Sequence, residues 1–400
     1  MDRSEELKAN ACARVDAQRR TLIELSDRIH ANPELKFEEY NATAWLANFL
    51  ESAGFAVERP AYELPTAFAA RIGDGPPHIA VLCEYDALPG IGHACGHNII
   101  AAAGAGAGAA LAKIVHDTGG SIVVLGTPAE EGGGGKITMA RAGAFEGTDV
   151  AMMVHPAGAD VAQMKVLAVN EIEVEYCGRA SHASAFPHRG INALDGLVTA
   201  YNAIAQLRQH IRQDERVHGI ITHGGQAPNV VPERAVGLFM VRAATERRLK
   251  RLMQRVEGCF RAGALASGAE MSIRNVAETY SDMWTNWALA DAYAENMRRL
   301  GRELLDPASV AAALAGSTDM GNVSKVVPSI HPMIAVAPPT VPLHSVEFAA
   351  WTASEAAHRA VTDGAKALAM TAVDILCRPD LLAAVKAEFA AHRATGEGHE

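Results

Sequence analysis

Between Gly90 and Leu111 the chain reads GIGHACGHNIIAAAGAGAGAAL. Three groups able to ligate a metal, His93, Cys95 and His97, fall within five residues, and a run almost without side-chain bulk follows them. That pairing narrows the possible folds. A segment of Ala and Gly offers no broad apolar face, so it suits a place where its backbone must lie close against another element. A helix is expected over 98–115, with Gly104, Gly106 and Gly108 letting it press on a sheet beneath the His/Cys loop. The flanking sequence supplies such a sheet. Residues 78–83, 121–126 and 149–154 read as short apolar strands, each followed by acids, glycines or a histidine. Helical patterns at 15–31, 41–53, 98–115 and 136–143 separate or precede them. Strands alternating with helices indicate an α/β unit with a mainly parallel sheet.

From Lys165 the rhythm changes. KVLAVNEIEVEYCG alternates apolar and polar residues, as a half-buried strand does. VHGIITHGG, RAVGLFMVRA and AEMSIRNVAE add three more strands, with helices at 191–212 and 245–267. Four strands and two helices form an α+β unit. After Tyr280 the first rhythm returns, with a helix at 285–300, a strand at 333–337 and a long helix at 345–370. At 400 residues, two domains are expected. The pattern divides them as one domain in two pieces, 1–164 and 280–400, interrupted by an inserted domain at 165–279.

The net charge is −10 and no Lys/Arg block occurs, so neither a nucleic acid nor an anionic membrane is an expected partner. Met1–Ala11 is charged and polar, unlike a signal peptide. The most apolar window, Asn98–Val115, is mostly Ala and Gly and holds Lys113, too weak a pattern to span a bilayer. The cysteines at 12, 83, 95, 177, 259 and 377 are scattered, which suggests reduced thiols and a cytoplasmic setting.

The metal-capable groups sit at or just beyond the C-terminal ends of expected strands: Cys95 and His97, Glu130 and Glu131, and His155. Open α/β sheets bind ligands in that crevice. His344 precedes the long helix of the returning segment. Such a set suits zinc, and manganese, cobalt and nickel fit as well. Of two adjacent glutamates, one can bind metal while the other holds the attacking water. Blander readings stand beside these. Cys95 alone reads as a small buried hydrophobe, or as a nucleophile with His93 or His97 as its base. The acid pair reads as a solvated loop, although Gly132–Gly135 allow a close backbone approach there. His182 reads as a surface histidine, Arg242 as the partner of an acid, and Asn229 as a turn former before Pro232.

The motifs NPELKFEEYNATAWLANFLESAGF, CEYDALPGIGHACGHN, GTPAEEGGGGK, MMVHP, SHASAFPHRGINALDG, APNVVPERA, GSTDMGNVSKVVPSIHP and PLHSVEF run in order from residue 32 to 348. In them the chain resembles the co-catalytic zinc aminoacylase and carboxypeptidase family, family twenty of the metallopeptidases. It is most similar to the amidohydrolase branch containing p-aminobenzoyl-glutamate hydrolase, the auxin-conjugate hydrolases and the β-alanyl-lysine dipeptidase. The resemblance implies a zinc-peptidase catalytic domain with an inserted dimerisation or lid domain, and a homodimer. It also implies that Cys95, His97, Glu131, His155 and His344 hold two divalent ions and that Glu130 is the general base. By the same resemblance His182 reaches a partner subunit's site, and Asn229 and Arg242 hold the substrate carboxylate. The His-x-Asp pair of the wider family is replaced by EYDALP, which leaves Asp86 a supporting position, and Asn98 stands where this branch often has Asp. The expected activity is hydrolysis of N-acyl, aroyl or aminoacyl amino acids. The alternatives are a non-catalytic subunit of a hydrolase and a metal-free Cys-His hydrolase.

Overall fold

The computed structural model describes residues 3–310 and 316–395; residues 1–2, 311–315 and 396–400 of the expected outer segments lie outside the described residues. Two compact units divide the chain, one formed by Met1–Lys165 with Met283–Glu400, the other by Val166–Asp282.

In the first unit the strands are β1 (Ala56–Glu58), β2 (Phe68–Gly73), β3 (His78–Cys83), β4 (Ser121–Gly126), β5 (Val150–Met152) and β6 (His155–Ala157). The second unit holds β7 (Ala168–Cys177), β8 (Arg216–His223), β9 (Arg234–Ala243) and β10 (Glu270–Asn275). β11 (Ser329–Ile330) and β12 (Met333–Ala335) return to the first unit. The large sheet runs β1-β2-β4-β3-β5-β11, parallel from β4 through β11 and antiparallel at β1 and β2. This is the expected mainly parallel α/β sheet. β3 is apolar along its length because both faces are covered. Ile79, Val81 and Cys83 face the core that contains the Ala/Gly helix, and Ala80 and Leu82 face the core on the other side.

The Ala/Gly segment forms a helix, His97–Leu111, buried at every residue. A methyl on Gly104 would stand 2.7 Å from Cys83 Sγ and Leu82 O, and one on Gly108 would collide with Val124, so these two glycines let the helix seat on β3 and β4. Gly106 corrects the expectation. It faces away from the sheet, toward Leu22 and Ala365 of two covering helices. Residues four apart share a helical face and residues two apart do not. Small residues on both sides therefore bury the helix between sheet and helices. Overpacking such a seat costs ~1–3 kcal/mol.

Two elements differ from expectation, and each difference matters to the site. The strand expected at 149–154 ends early, as β5 in the large sheet, and a further strand, β6, follows it at once and pairs with β12 in a separate two-stranded sheet. His155 opens β6 and so leaves the plane of the large sheet. The helix expected at 345–370 splits into Val346–Trp351 and Glu355–Cys377. Ser345 Oγ accepts from Phe348 N (3.0 Å) and Ser354 Oγ accepts from Ala357 N (3.3 Å), so each piece begins at its own serine cap.

In the second unit the sheet β10-β7-β9-β8 is antiparallel throughout. Helices Ala193–Leu207 and Glu246–Ser267 supply Leu197, Ile204, Val256 and Phe260 to the core beneath it. This separate four-stranded α+β unit matches the expected fold class. The two helices approach closely enough that a methyl on Gly263 would strike the Gly196 carbonyl.

Candidate metal centre

Four loops of the first unit converge. Gly96, in the left-handed conformation at φ 79°, ends the loop carrying Cys95 and starts the helix at His97. Glu130 and Glu131 lie between β4 and the helix Gly135–Arg141. His344 precedes the helix Val346–Trp351, and its backbone N–H donates to Ala94 O (3.0 Å). Three overlapping groups result: Cys95, His97 and His155; Cys95, Glu131 and His344; and His97, Glu130 and Glu131. Within each, the donor atoms lie within 4.8 Å of one another. Ala129 and His344 hold positive φ values of 59° and 60°, a conformation that costs non-glycine residues energy and tends to cluster at functional sites.

The hydrogen bonds decide which atoms face the centre. His155 Nδ1 lies 2.8 Å from the Pro156 carbonyl, which can only accept, so Nδ1 carries the proton and Nε2 presents a lone pair. His97 Nδ1 lies 2.9 Å from Asp86 Oδ1, and its Nε2 has no hydrogen-bond partner among the described residues. Cys95 Sγ is 3.4 Å from His155 Nε2, His97 Nε2 is 3.9 Å from Glu130 Oε2, and His344 Nε2 is 3.2 Å from Glu131 Oε1. Imidazole nitrogens, carboxylates and a thiol thus point at one another. Burial, then the neighbouring Glu131, pushes both Glu130 and Cys95 up. Burial works against charge on His97, but Asp86 and then Cys95 together outweigh it and hold that imidazole well above its usual range. Burial, then His331 and His97, pushes His155 well below its usual range. Such a donor set fits divalent cations of zinc-like softness.

A further layer supports these groups, and the sequence reading found only Asp86 in it. Asp86 bonds His97 through one oxygen and accepts from Glu131 N (2.9 Å) through the other, so it orients two members of the set. Lys136, fully buried, lies 2.6 Å from Glu84 Oε1 and 2.7 Å from Asp319 Oδ1. Those carboxylates offset the burial that opposes its charge and keep the ammonium ionised. Glu84 Oε2 lies 3.6 Å from His97 Nε2. The His331 ring sits 5.3 Å from that of His155, and burial pushes it down to about 4, so it is neutral. Lys136 and Asp319 stand inside the motifs GTPAEEGGGGK and GSTDMGNVS; a lysine in the first turn of a helix, where the dipole disfavours a cation, was the available signal, whereas Asp319 reads as an ordinary N-cap. Asn98 turns away from His97. Its amide donates to Ser26 Oγ and to Thr352 O, both at 2.9 Å, and ties the helix start to other elements.

The other expected site residues lie in the second unit. His182 is exposed; its Nδ1 accepts from Ala185 N (3.2 Å), so Nε2 carries the proton and is a donor. Asn229 is beside it, because Ala183 N donates to Asn229 O (3.0 Å) and His182 bridges Val230. Arg242, half-buried on β9, donates to Met240 Sδ (3.0 Å).

Residues 80–370 match the profile of a family described as peptidase family M20/M25/M40. The chain is 42% identical over 398 residues to the Xaa-Arg dipeptidase of Mus musculus, covering 96% of this chain and 92% of that one. It is 30% identical to one of the p-aminobenzoyl-glutamate hydrolase subunits of Escherichia coli (strain K12), covering 92% of each chain. Its fold is also that of a Bacillus subtilis protein described as a dinuclear metal binding peptidase from the M20 family, with TM-score 0.70, 21% identity, and 90% and 99% of the two chains covered.

Proposed function

The chain belongs to peptidase family M20/M25/M40, and from that premise we propose that it is a metal-dependent amidohydrolase. Its substrates are dipeptides or N-acyl, aroyl or aminoacyl amino acids, from which it releases a free amino acid. The observation that carries this is the convergence of the His97 and His155 Nε2 atoms with Cys95, Glu130, Glu131 and His344. Cys95, His97, Glu131, His155 and His344 would hold two divalent ions, with zinc first and manganese, cobalt and nickel also suited. The dinuclear description of the B. subtilis protein supports the pair. Bound cations would polarise the amide carbonyl and make an attacking water more acidic. Glu130 takes that water's proton and passes it to the leaving amine. His182 donates its Nε2–H to the tetrahedral oxyanion. Asn229 and Arg242 grip the carboxylate of the released amino acid, the guanidinium through two parallel bonds.

A cysteine nucleophile is not supported: burial, then Glu131, pushes the Cys95 thiol up, the reverse of activation. No disulfide links the cysteines among the described residues, which supports a cytoplasmic setting, and no helix among the described residues is long and apolar enough to cross a membrane. Similarity to the Xaa-Arg dipeptidase makes dipeptides ending in arginine the first substrates to try. In a panel with N-acyl amino acids and p-aminobenzoyl-glutamate, metal-loaded protein is expected to release free amino acid from at least one class. No release from any of them would overturn the reading.

We also propose a homodimer. β8 is an edge strand, and Ile220 and Ile221 on it are 61% and 41% exposed, a surface that pairing would protect. A two-fold contact uses the same patch twice, and each His182 would then serve the other subunit. Mixing inactive His182→Ala chains with inactive Glu130→Gln chains should restore activity, because hybrid dimers carry one intact site. If subunits exchange and the mixture stays inactive, His182 does not act in trans.

A further inference from the structure

Glu39 occupies the N-cap position of the helix Tyr40–Ser52, yet its side chain caps nothing there. A carboxylate in that position ordinarily accepts from its own helix's first amides. Here Glu34 takes that role, with Oε1 accepting from Asn41 N (3.0 Å) and Oε2 from Ala42 N (2.9 Å). Glu39 turns inward and is fully buried. Its Oε1 accepts from Ala129 N (2.8 Å) and its Oε2 from Thr66 Oγ1 (2.7 Å). The Thr66 carbonyl is itself held by Thr43 Oγ1 and Tyr85 OH, both at 2.6 Å. A buried carboxylate is costly to keep unless its bonds matter to something else.

What those bonds reach is the residue before the proposed base. Ala129 is in the left-handed conformation, which an alanine abandons unless its surroundings impose it. Asp86 accepts from Glu131 N (2.9 Å). The amides on either side of Glu130 are therefore each held by a buried carboxylate, Glu39 at 129 and Asp86 at 131. Behind the turn, a methyl on Gly133 would come within 2.6 Å of Ala129 Cβ, so the loop is closed tightly around this conformation.

We infer that Glu39 is a positioning residue for hydrolysis: its carboxylate fixes the left-handed turn at Ala129 and so the direction in which Glu130 projects. This rests on the reading of Glu130 as the base. Glu39→Gln keeps the shape; its amide oxygen can accept from Ala129 N and its amide nitrogen can donate to Thr66 Oγ1. Glu39→Ala loses both bonds.

The test compares Glu39→Gln, Glu39→Ala and Glu130→Gln for kcat, KM, bound metal and thermal melting. Glu39→Ala is expected to lose on the order of 10²-fold in kcat, the scale of a small misplacement of a reacting group, with KM and metal content unchanged. Glu39→Gln should recover most of that loss. A folded Glu39→Ala protein with normal kcat, one whose loss is matched by lost metal, or a Gln variant no better than the Ala variant overturns the inference. If Glu39→Ala does not fold, Thr66→Val decides, since it removes one donor to Glu39 at constant volume: a fall in kcat alone supports the inference and an unchanged kcat overturns it. Normal turnover in Glu130→Gln would overturn the base assignment itself, whereas an inactive Glu130→Gln beside a normal Glu39→Ala would overturn only the role of Glu39.

Discussion

Glu130→Gln should lower kcat by ~10²–10⁴-fold, the range of a general-base contribution, while the protein keeps its fold and its metal. Glutamine matches the volume of glutamate in a position that is only 7% exposed, so the loop has no reason to rearrange. What the substitution removes is a proton acceptor. Burial and the adjacent Glu131 raise the proton affinity of the native carboxylate, which suits a group that must take a proton from water and release it to an amine. KM should change little, because none of the residues assigned to the substrate carboxylate is touched. Steady-state kinetics with metal analysis checks this. Turnover close to that of the parent would move the base elsewhere.

The second large effect is at Cys95, whose sulfur belongs to two of the three overlapping donor groups. Cys95→Ser replaces a soft thiolate by a hydroxyl that does not ionise near neutrality and has a shorter reach. The expected result is loss of at least one ion per chain and of most hydrolytic activity. Glu131→Gln should weaken metal binding as well, since Glu131 shares a group with Cys95 and another with His97. Measured metal per chain after gel filtration separates the outcomes: a Cys95→Ser protein holding two ions at parental affinity would remove Cys95 from the ligand set.

Much of this architecture was legible in the chain because strands buried on both faces, such as β3 and β4, read as unbroken apolar runs, and β7 of the second unit alternates along most of its length. The helix Arg3–Ala17 was missed because its apolar positions are few and its charges many; Leu7, Ala11 and Val15 are the buried stripe. β1, the edge strand, has only three residues, and β2 beside it ends in exposed and half-exposed positions, so both carry little pattern. The chain turns between β5 and β6 were invisible in MMVHP, because apolar residues line both pieces.

In the site, histidines, the cysteine and the acid pair announce themselves by type and by their place at strand ends. The residues that hold them do not. Lys136, Glu84 and Asp319 come from three distant segments, and only the fold shows that one ammonium lies between two carboxylates. Glu39 looks like an ordinary helix cap until Glu34 is seen to do the capping. The orientation of Asn98 likewise depends on Ser26 and Thr352, far from it in sequence.

The dependence of amide-bond hydrolysis on metal held by this donor set is the property from which the other effects follow. It is tested most directly by following free arginine released from an Xaa-Arg dipeptide, with N-acyl amino acids in parallel. The protein is assayed as purified, after a strong chelator, and after stepwise return of zinc or manganese. Chelation should abolish release, and activity should return as ions are restored, reaching its plateau at two per chain. Hydrolysis that persists in protein shown to be metal-free would contradict that dependence.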